Sequence, residues 1–200
     1  MSLKTAVSGF LLQGGNYASS LCIVTILGSA TLAELESVRI SAQPVMIAGT
    51  ALAAFFVPPA IRMQQAGDRN GALKQVARMC VILLVVGAVF TVIVPPFTIL
   101  IEFLTGRQTS AGLAMALVAA FALQAIIAPM NQLNIANSQY ALAALSTMAS
   151  IALTLATLLV TLHVLLLWAV PLAIALGAIL RAVILVIAER VDRKRSRPSD

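Results

Sequence analysis

The sequence has few charged side chains. Only 10% of its 200 residues are Asp, Glu, Lys or Arg, and 60% are hydrophobic. Soluble domains carry roughly 25% charged and about 45–50% apolar residues, so this composition excludes an ordinary water-soluble domain. The mean hydropathy of +1.01 leads to the same conclusion.

Aromatic residues are also scarce, at 5%, and this bears on how the net charge of +6 is interpreted. Proteins that bind single-stranded nucleic acid stack its bases on aromatic side chains near basic residues. The basic residues here fall mainly into two groups, one at Arg62, Arg69, Lys74 and Arg78 and one at Arg190, Arg193, Lys194, Arg195 and Arg197. Almost no aromatic residue lies near either group. Such clusters are typical of cytoplasmic segments beside anionic lipid headgroups, so no nucleic-acid partner is expected.

Residue patterns for covalent or metal chemistry are missing from the sequence. Cys22 and Cys80 lie in separate apolar blocks, and the single histidine, His163, has no partner at a metal-ligand spacing. The sequence has no GxxxxGK phosphate loop, no catalytic dyad and no acidic residue deep within an apolar block. We therefore expect no enzyme activity, no cofactor and no metal site.

Long apolar blocks occupy nearly the whole chain. A bilayer core about 30 Å thick is crossed by roughly 20 apolar helical residues, whereas the strands of a membrane barrel alternate between apolar and polar residues. The sequence therefore predicts an all-α, polytopic transmembrane bundle of about six helices that forms one lobe at 1–188. The helices are expected at 7–27, 32–57, 76–94, 111–129, 141–160 and 165–188, followed by a basic cytoplasmic tail at 189–200.

Glycine, proline and capping residues set the expected helix ends. Thr31 and Glu34 fit a capping box that would begin the second helix after Gly28. The Pro-Pro pairs at 58–59 and 95–96 are expected to end the second and third helices, because proline lacks an N–H donor and clashes with the preceding turn. The apolar segment 97–104 would then lie in the membrane interface.

A turn is expected at 67–71. Two later boundaries depend on polar residues. The uncharged polar stretch 131–139 is expected to be a solvated cytoplasmic loop. The fifth and sixth blocks are separated only at 161–163, and their fusion would reduce the count to five helices.

The basic residues also predict an orientation. The segment 62–78 holds four basic residues and one acid, and the C-terminal tail holds a dense basic run. Cytoplasmic loops of membrane proteins carry the excess of Lys and Arg. The N-terminus, the loop at 60–75 and the C-terminus are therefore expected in the cytoplasm, which requires an even number of crossings.

Polar side chains within the first two blocks are the candidates for a binding site, because ionisable groups at membrane depth tend to mark substrate pathways. The candidate substrate-binding residues are Arg39, Gln43, Thr50, Gln13, Asn16 and Tyr17. Their helical spacing predicts one polar stripe on each helix and a wet cavity between them. An arginine there would hold a phosphate bidentately, and amides would bind sugar hydroxyls. Alternatively, Arg39 extends to the headgroups.

Two further sets of polar residues are interpreted as structural. Arg181 lies about two turns from the expected inner end of the sixth helix, so its side chain is expected to reach the headgroups. Five hydroxyl residues fall near one face of the fifth helix: Ser146, Ser150, Thr154, Thr157 and Thr161. We expect this face to pack closely against another helix, because small hydroxyl residues allow a close approach.

Five short segments carry a resemblance that is more specific than hydropathy. They are GSATLAE at 28–34, VRISAQP at 38–44, VPPAIR at 57–62, AGD at 66–68 and LIEFLTG at 100–106. They correspond to a short outer connection, a helix with an early basic residue, a closing proline, a Gly-Asp turn and a short outer helix. This pattern resembles polysaccharide (Wzx-like, O-antigen) flippases of the multidrug/oligosaccharidyl-lipid/polysaccharide superfamily, and it corresponds to the C-terminal half of such a transporter.

The resemblance implies transport without bond chemistry. Transporters of this superfamily have two six-helix lobes around a central cavity that opens alternately to each side. The chain is thus expected to translocate undecaprenyl-diphosphate-linked oligosaccharide across the bacterial inner membrane. Its partners would be the lipid bilayer, the lipid-linked oligosaccharide and a second lobe, supplied by homodimerisation or by a partner chain. The turn at 137–139 is neutral, whereas the family usually has basic residues there.

Two other functions are alternatives to a flippase lobe. The first is a lobe of a multidrug or small-solute antiporter, which acidic residues in the cavity would favour. The second is a non-transporting membrane scaffold or half-gene product, because six helices alone do not form a two-lobed cavity.

Overall fold

The described residues of the protein form a bundle of six α-helices. Its computed structural model describes residues 3–105, 110–136 and 139–195, and no strand occurs within these ranges. The helices are α1 (Leu3–Leu27), α2 (Ser29–Gln65), α3 (Arg69–Thr105), α4 (Ala111–Ala136), α5 (Tyr140–Leu165) and α6 (Ala169–Arg195), with a short 3-10 helix at Leu166–Trp168. The all-α prediction and the number of helices are confirmed.

Much of this helical structure is long and apolar enough to cross a membrane. By length and composition, four stretches of the described residues qualify: Ala42–Gln65, Arg69–Leu100, Ala111–Asn134 and Tyr140–Ala188. The last of these contains α5 and most of α6. The described part of α1 adds a shorter apolar helix at Tyr17–Leu27.

Large apolar side chains are exposed on the outside of the bundle. Phe103 and Val92 on α3 are 85% and 75% exposed, and Val164 on α5 is 79% exposed. Burying a side chain of this size away from water stabilises a protein by about 1.5–3 kcal/mol, and this surface would forgo that gain in water. Lipid tails can cover it, so the exposed surface fits a membrane-embedded bundle.

The proline pairs do not end their helices, so this part of the prediction was wrong. α2 contains Pro44, Pro58 and Pro59, and α3 continues through Pro95 and Pro96. Proline is tolerated within membrane helices because neighbouring helices, Ser/Thr side chains and local adjustments satisfy the freed backbone groups. The segment 97–104 is accordingly the last part of α3, and the second and third helices are longer than predicted.

The junction between α1 and α2 also differs from the prediction. α2 begins at Ser29, and Gly28 before it has φ 90°, a conformation that favours glycine. Thr31 makes no capping box, since its hydroxyl donates to the carbonyl of Leu27 at 3.0 Å. A single residue outside helical geometry is therefore enough to separate the two helices.

The turn between α2 and α3 is confirmed, although it is shorter than predicted. Gly67 has φ 85°, and Oδ1 of Asp68 accepts a hydrogen bond from the backbone N–H of Gly71 at 2.8 Å. This bond satisfies one of the free N–H groups at the start of α3. Arg69 to Gly71 thus belong to the first turn of α3.

The expected boundaries around α5 require two corrections. α4 continues to Ala136 and buries Asn131, so most of the polar stretch 131–139 is helix; Asn137 and Ser138 lie outside the described residues. The break after α5 occurs at Leu166, which has φ 51°, and not at 161–163. Pro171 in the first turn of α6 is a signal for this boundary, because proline is tolerated there. α6 then extends to Arg195, so most of the expected tail is helical.

One end of the bundle, here called the Gly28 end, is defined by two connections and one contact. α1 passes into α2 at Gly28, α5 passes into α6 at Leu166–Trp168, and a Cβ added to Gly112 near the start of α4 would lie 3.2 Å from the Trp168 ring. A buried cluster joins the nearby helix ends through Ile23, Leu35, Leu113, Leu162 and Ala169. The end of α1, the start of α2, the start of α4, the end of α5 and the start of α6 therefore lie at the same end of the bundle.

Candidate functional site

A cavity of about 90 Å³ lies between α1, α2, α4, α5 and α6. Its apolar lining includes Ile23, Leu117, Phe121, Leu158 and Ile174, and its polar lining consists of Ser19, Ser20, Glu36, Arg39, Gln124, Thr147, Ser150, Thr154 and Arg181. A water molecule needs roughly 10–15 Å³ measured in this way. The cavity therefore has room for several water molecules or a small headgroup, but not for a chain of sugars.

The α2 side of the cavity carries an ion pair. Nη1 of Arg39 donates to Oε1 of Glu36 at 3.2 Å, and the two side chains are 35% and 47% exposed. The residues are three positions apart on one helix, which places them on neighbouring turns of the same face. Pairs of this kind contribute only about 0.2–0.5 kcal/mol to helix stability, so Arg39 can exchange Glu36 for another anionic partner at little cost.

The α6 side of the cavity carries Arg181. Its side chain is partly buried, and its Nε atom is inaccessible and has no hydrogen-bond partner among the described residues. A buried guanidinium N–H without an acceptor is costly, since charged groups are normally paired when removed from water. Arg181 lines the cavity, but its Nε atom is inaccessible, so an oxyanion or water would pair with that atom only after the side chain turns toward the cavity.

Hydroxyl groups line the same cavity as the two arginines. Ser19 donates to the carbonyl of Gly15 at 2.9 Å, and Thr147 donates to that of Ala143 at 2.8 Å. Because each hydroxyl hydrogen is used within its own helix, the oxygen lone pairs are what these groups offer to the cavity. They can accept hydrogen bonds from water or from sugar hydroxyls, and Gln124 adds an amide that both donates and accepts.

Both arginines lie at a similar depth in the bundle. Arg39 is ten residues beyond Ser29, and Arg181 is twelve beyond Ala169, so they lie about 15 Å and 18 Å along their helices from the Gly28 end at 1.5 Å per residue. The stretch of α2 that is apolar enough to cross a membrane begins at Ala42, so Arg39 lies about one turn before it. Arg181 lies within the apolar stretch Tyr140–Ala188.

Of the six residues proposed from the sequence, the structure places Arg39 at the cavity. Tyr17 is 70% exposed, and Gln43 and Thr50 are also exposed and do not line it. The hydroxyl of Thr50 donates to the carbonyl of Met46 at 2.9 Å. The side chains of Gln13 and Asn16 lie outside the described part of the chain. The predicted stripe is thus divided between the cavity and the exposed surface.

Three charged or amide residues of the cavity were not among the sequence candidates. Glu36, Gln124 and Arg181 reach the site from α2, α4 and α6. Arg181 was expected to extend to the headgroups, but the structure places it against the cavity because α6 packs along α4 and α5. Its position within an apolar helix was a signal for a pathway residue, and Glu36 could have been found as the acid one turn before Arg39.

Comparison with protein families, curated proteins and solved structures finds no match to this chain. Within the described residues no group of three or more His, Cys, Asp or Glu side chains could hold a metal ion. The polar contacts that the cavity offers are two guanidinium groups, one carboxylate, one amide and several hydroxyl oxygens, an arrangement suited to binding an anion or a hydroxylated headgroup.

Proposed function

We propose that the chain is one lobe of a membrane transporter that translocates undecaprenyl-diphosphate-linked oligosaccharide across the bacterial inner membrane. The main support is the position of Arg39, which lines a partly polar cavity enclosed by five helices of an apolar bundle. An arginine in that position can pair with a phosphate of the substrate headgroup. The lipid tail would remain in the bilayer beside the apolar outer surface.

A second lobe is part of this proposal. The cavity of about 90 Å³ is too small for an oligosaccharide, so a larger path requires a second group of helices. Gln43, Thr50 and Tyr17 are exposed polar side chains on α2 and α1. Polar groups at membrane depth seek hydrogen-bonding partners, and a second copy or a partner chain at this face would supply them.

Transport by two such lobes would need no covalent step. Relative rocking of two lobes opens a shared cavity alternately to each side of a membrane. In this scheme the arginines hold the diphosphate, while hydroxyl and amide groups replace water around the sugar. The side chains named here act by binding and orientation only.

A liposome assay tests the proposed function. The purified chain, with any required partner lobe, is reconstituted with a polyprenyl-diphosphate-linked oligosaccharide, and a glycosidase is added outside. We expect digestion to continue beyond the outer-leaflet fraction, because transport brings inner-leaflet substrate to the enzyme. Protein-free liposomes and liposomes with Arg39→Ala serve as controls. Digestion limited to the outer leaflet in all three preparations would refute the flippase function.

A small-solute antiporter lobe is the second candidate, and Glu36 is the observation that favours it. A carboxylate that lines a membrane cavity can exchange protons during transport. In the same liposomes, this candidate predicts solute movement driven by a proton gradient and abolished by Glu36→Gln. Gradient-independent movement of the lipid-linked substrate would favour the flippase.

A further inference from the structure

Two guanidinium groups and one carboxylate share the cavity, and they come from different helices. Arg39 and Glu36 belong to α2, and Arg181 belongs to α6. Residues 39 and 181 come from opposite ends of the sequence, so their convergence depends on the fold. Among the described residues these three are the charged groups that line the cavity.

We propose that Arg39 and Arg181 together bind one oxyanion group, and that Glu36 is the internal ligand that this anion displaces from Arg39. The ligand chemistry is that of a phosphate or diphosphate, which presents several oxygens to two guanidinium groups at once. The source can be a lipid-linked diphosphate headgroup or a free phosphate ion. The inference rests on the proposed function only when the source is the lipid.

Charge balance is the first reason for an anion here. Two arginines and one glutamate give the cavity lining a formal net charge of +1. Apolar side chains form part of the same lining, and they reduce the screening of charge relative to bulk water. An anion that enters with a charge of −1 or −2 would therefore be held more strongly than a neutral solute of the same size.

The unsatisfied donor on Arg181 is the second reason. Nε of Arg181 is inaccessible and unpartnered, although hydroxyl residues on α5 line the same cavity. Thr147 donates its hydroxyl hydrogen to its own helix, and Thr154 donates to its own helix and to Ala173 on α6. Hydroxyl groups are neutral, so neither residue brings a negative charge to Arg181. An oxyanion between α2 and α6 would provide acceptor oxygens to both guanidinium groups, and to Nε of Arg181 once that side chain turns toward the cavity.

The weak pairing of Glu36 with Arg39 explains why an external anion can replace the carboxylate. Glu36 lies 3.2 Å from Arg39 and keeps its guanidinium at the cavity wall. Because the pair is partly exposed, the carboxylate can turn toward water when a better ligand arrives. Removal of the carboxylate charge should therefore strengthen anion binding, which is the opposite of the effect of removing either arginine.

The test is binding of inorganic pyrophosphate to the purified full-length chain in detergent, measured by calorimetry. We expect Arg181→Gln and Arg39→Gln each to weaken binding by about 10-fold or more, since each removes charge-assisted hydrogen bonds. Arg181→Lys should retain part of the affinity because it keeps the charge. Glu36→Gln should tighten binding by about 3- to 10-fold. Arg62→Gln, which changes an exposed arginine away from the cavity, should bind like the wild type.

The pattern across these variants decides the inference even if one of them folds poorly. Equal binding by Arg181→Gln, Arg62→Gln and the wild type would overturn it, as would weaker binding by Glu36→Gln. A second arm adds polyprenyl diphosphate in mixed micelles as a competitor for pyrophosphate. If polyprenyl diphosphate competes with pyrophosphate, the lipid headgroup is a source of the bound anion. If pyrophosphate binds but the lipid does not compete with it, the source is a free phosphate. If lipid transport occurs in liposomes but Arg181→Gln binds pyrophosphate as tightly as the wild type, the inference fails and the transport function stands.

Discussion

Thr154 on α5 and Ala173 on α6 are joined by a hydrogen bond across the interface of the last two helices. Oγ1 of Thr154 lies 3.3 Å from the carbonyl oxygen of Ala173 and 2.9 Å from that of Ser150 on its own helix, so one hydroxyl hydrogen serves two acceptors. Gly177, one turn further along α6, faces the same region of α5. Close approach of the two backbones therefore depends on a small residue at position 177.

The first prediction concerns Gly177. A Cβ added there would lie 3.0 Å from the backbone carbonyl oxygen of Ser150 and would also clash with the Thr154 hydroxyl. We expect Gly177→Ala to destabilise the folded protein by about 1–3 kcal/mol, the usual cost of overpacking. Thermal unfolding in detergent measures the effect as a lower midpoint.

Gly14→Ala is the matched control for this experiment. It makes the same change within α1, where an added Cβ meets no atom within 4 Å. Alanine has a higher helix propensity than glycine, so its midpoint should equal or exceed that of the wild type. Equal midpoints for both variants would show that α5 and α6 do not pack closely at Gly177.

The α5–α6 interface illustrates what the sequence can and cannot predict. The hydroxyl spacing on α5 predicted a helix-packing face, and the bond from Thr154 to Ala173 confirms it at one position. That Thr154 and Ser150 also line the cavity did not follow from the spacing, because a periodic pattern does not identify the helix that covers it. Neighbours are decided by tertiary packing.

The helix ends were difficult to predict for a different reason. Proline signals are derived mainly from helices in water, where a broken helix can hydrogen-bond to solvent. In an apolar surrounding the backbone has no such alternative, and α2 and α3 continue through their proline pairs. The end of α5 at Leu165 has no glycine or proline beside it, and the polar residues at 161–163 placed the boundary too early.

The site was partly predictable because Arg39 was identified from its depth in an apolar helix. Gln43 lies four positions later on α2, yet it is exposed and away from the cavity. One helical face can contact different helices at different positions along its length. Pro44, which directly follows Gln43, also removes one backbone N–H donor from α2 at this point. The sequence therefore predicts which residues are unusual at membrane depth, and packing decides which of them meet.

The second prediction concerns assembly. If a second lobe covers the exposed polar face of α2, Thr50→Cys should form a cross-link to another chain in oxidised membranes after Cys22 and Cys80 are replaced. Val92→Cys on α3 is the control, because Val92 is 75% exposed on an apolar surface suited to lipid. Gel mobility after oxidation reports the cross-link. Transport by a strictly monomeric protein in liposomes would argue against a second lobe.

The third prediction concerns orientation. The basic residues at 62–78 and at the C-terminus predict that both lie in the cytoplasm. A reporter active only in the cytoplasm should therefore be active when fused after Asp200 or after Asp68. A fusion at Ser110, before α4, is expected to be inactive. Activity that requires a periplasmic location at Asp200 would indicate an odd number of crossings.

The last prediction is that Arg39 contacts the diphosphate of the lipid-linked substrate. Arg39 lines the cavity and pairs with Glu36, so its guanidinium is positioned at a polar site. A guanidinium matches two phosphate oxygens at once, whereas an ammonium group acts as a point charge. Arg39→Ala should therefore lose most transport activity, and Arg39→Lys should retain part of it. If Arg39 only anchored the helix at the headgroups, lysine or glutamine would replace it with little loss.

The measurement is recovery of surface polysaccharide in a flippase-deficient strain that also carries any required partner lobe, normalised to the amount of each variant in the membrane. Arg78→Ala, which removes an exposed arginine on α3 away from the cavity, is the matched control and should recover polysaccharide like the wild type. Equal recovery by Arg39→Ala and the wild type would remove Arg39 from substrate binding.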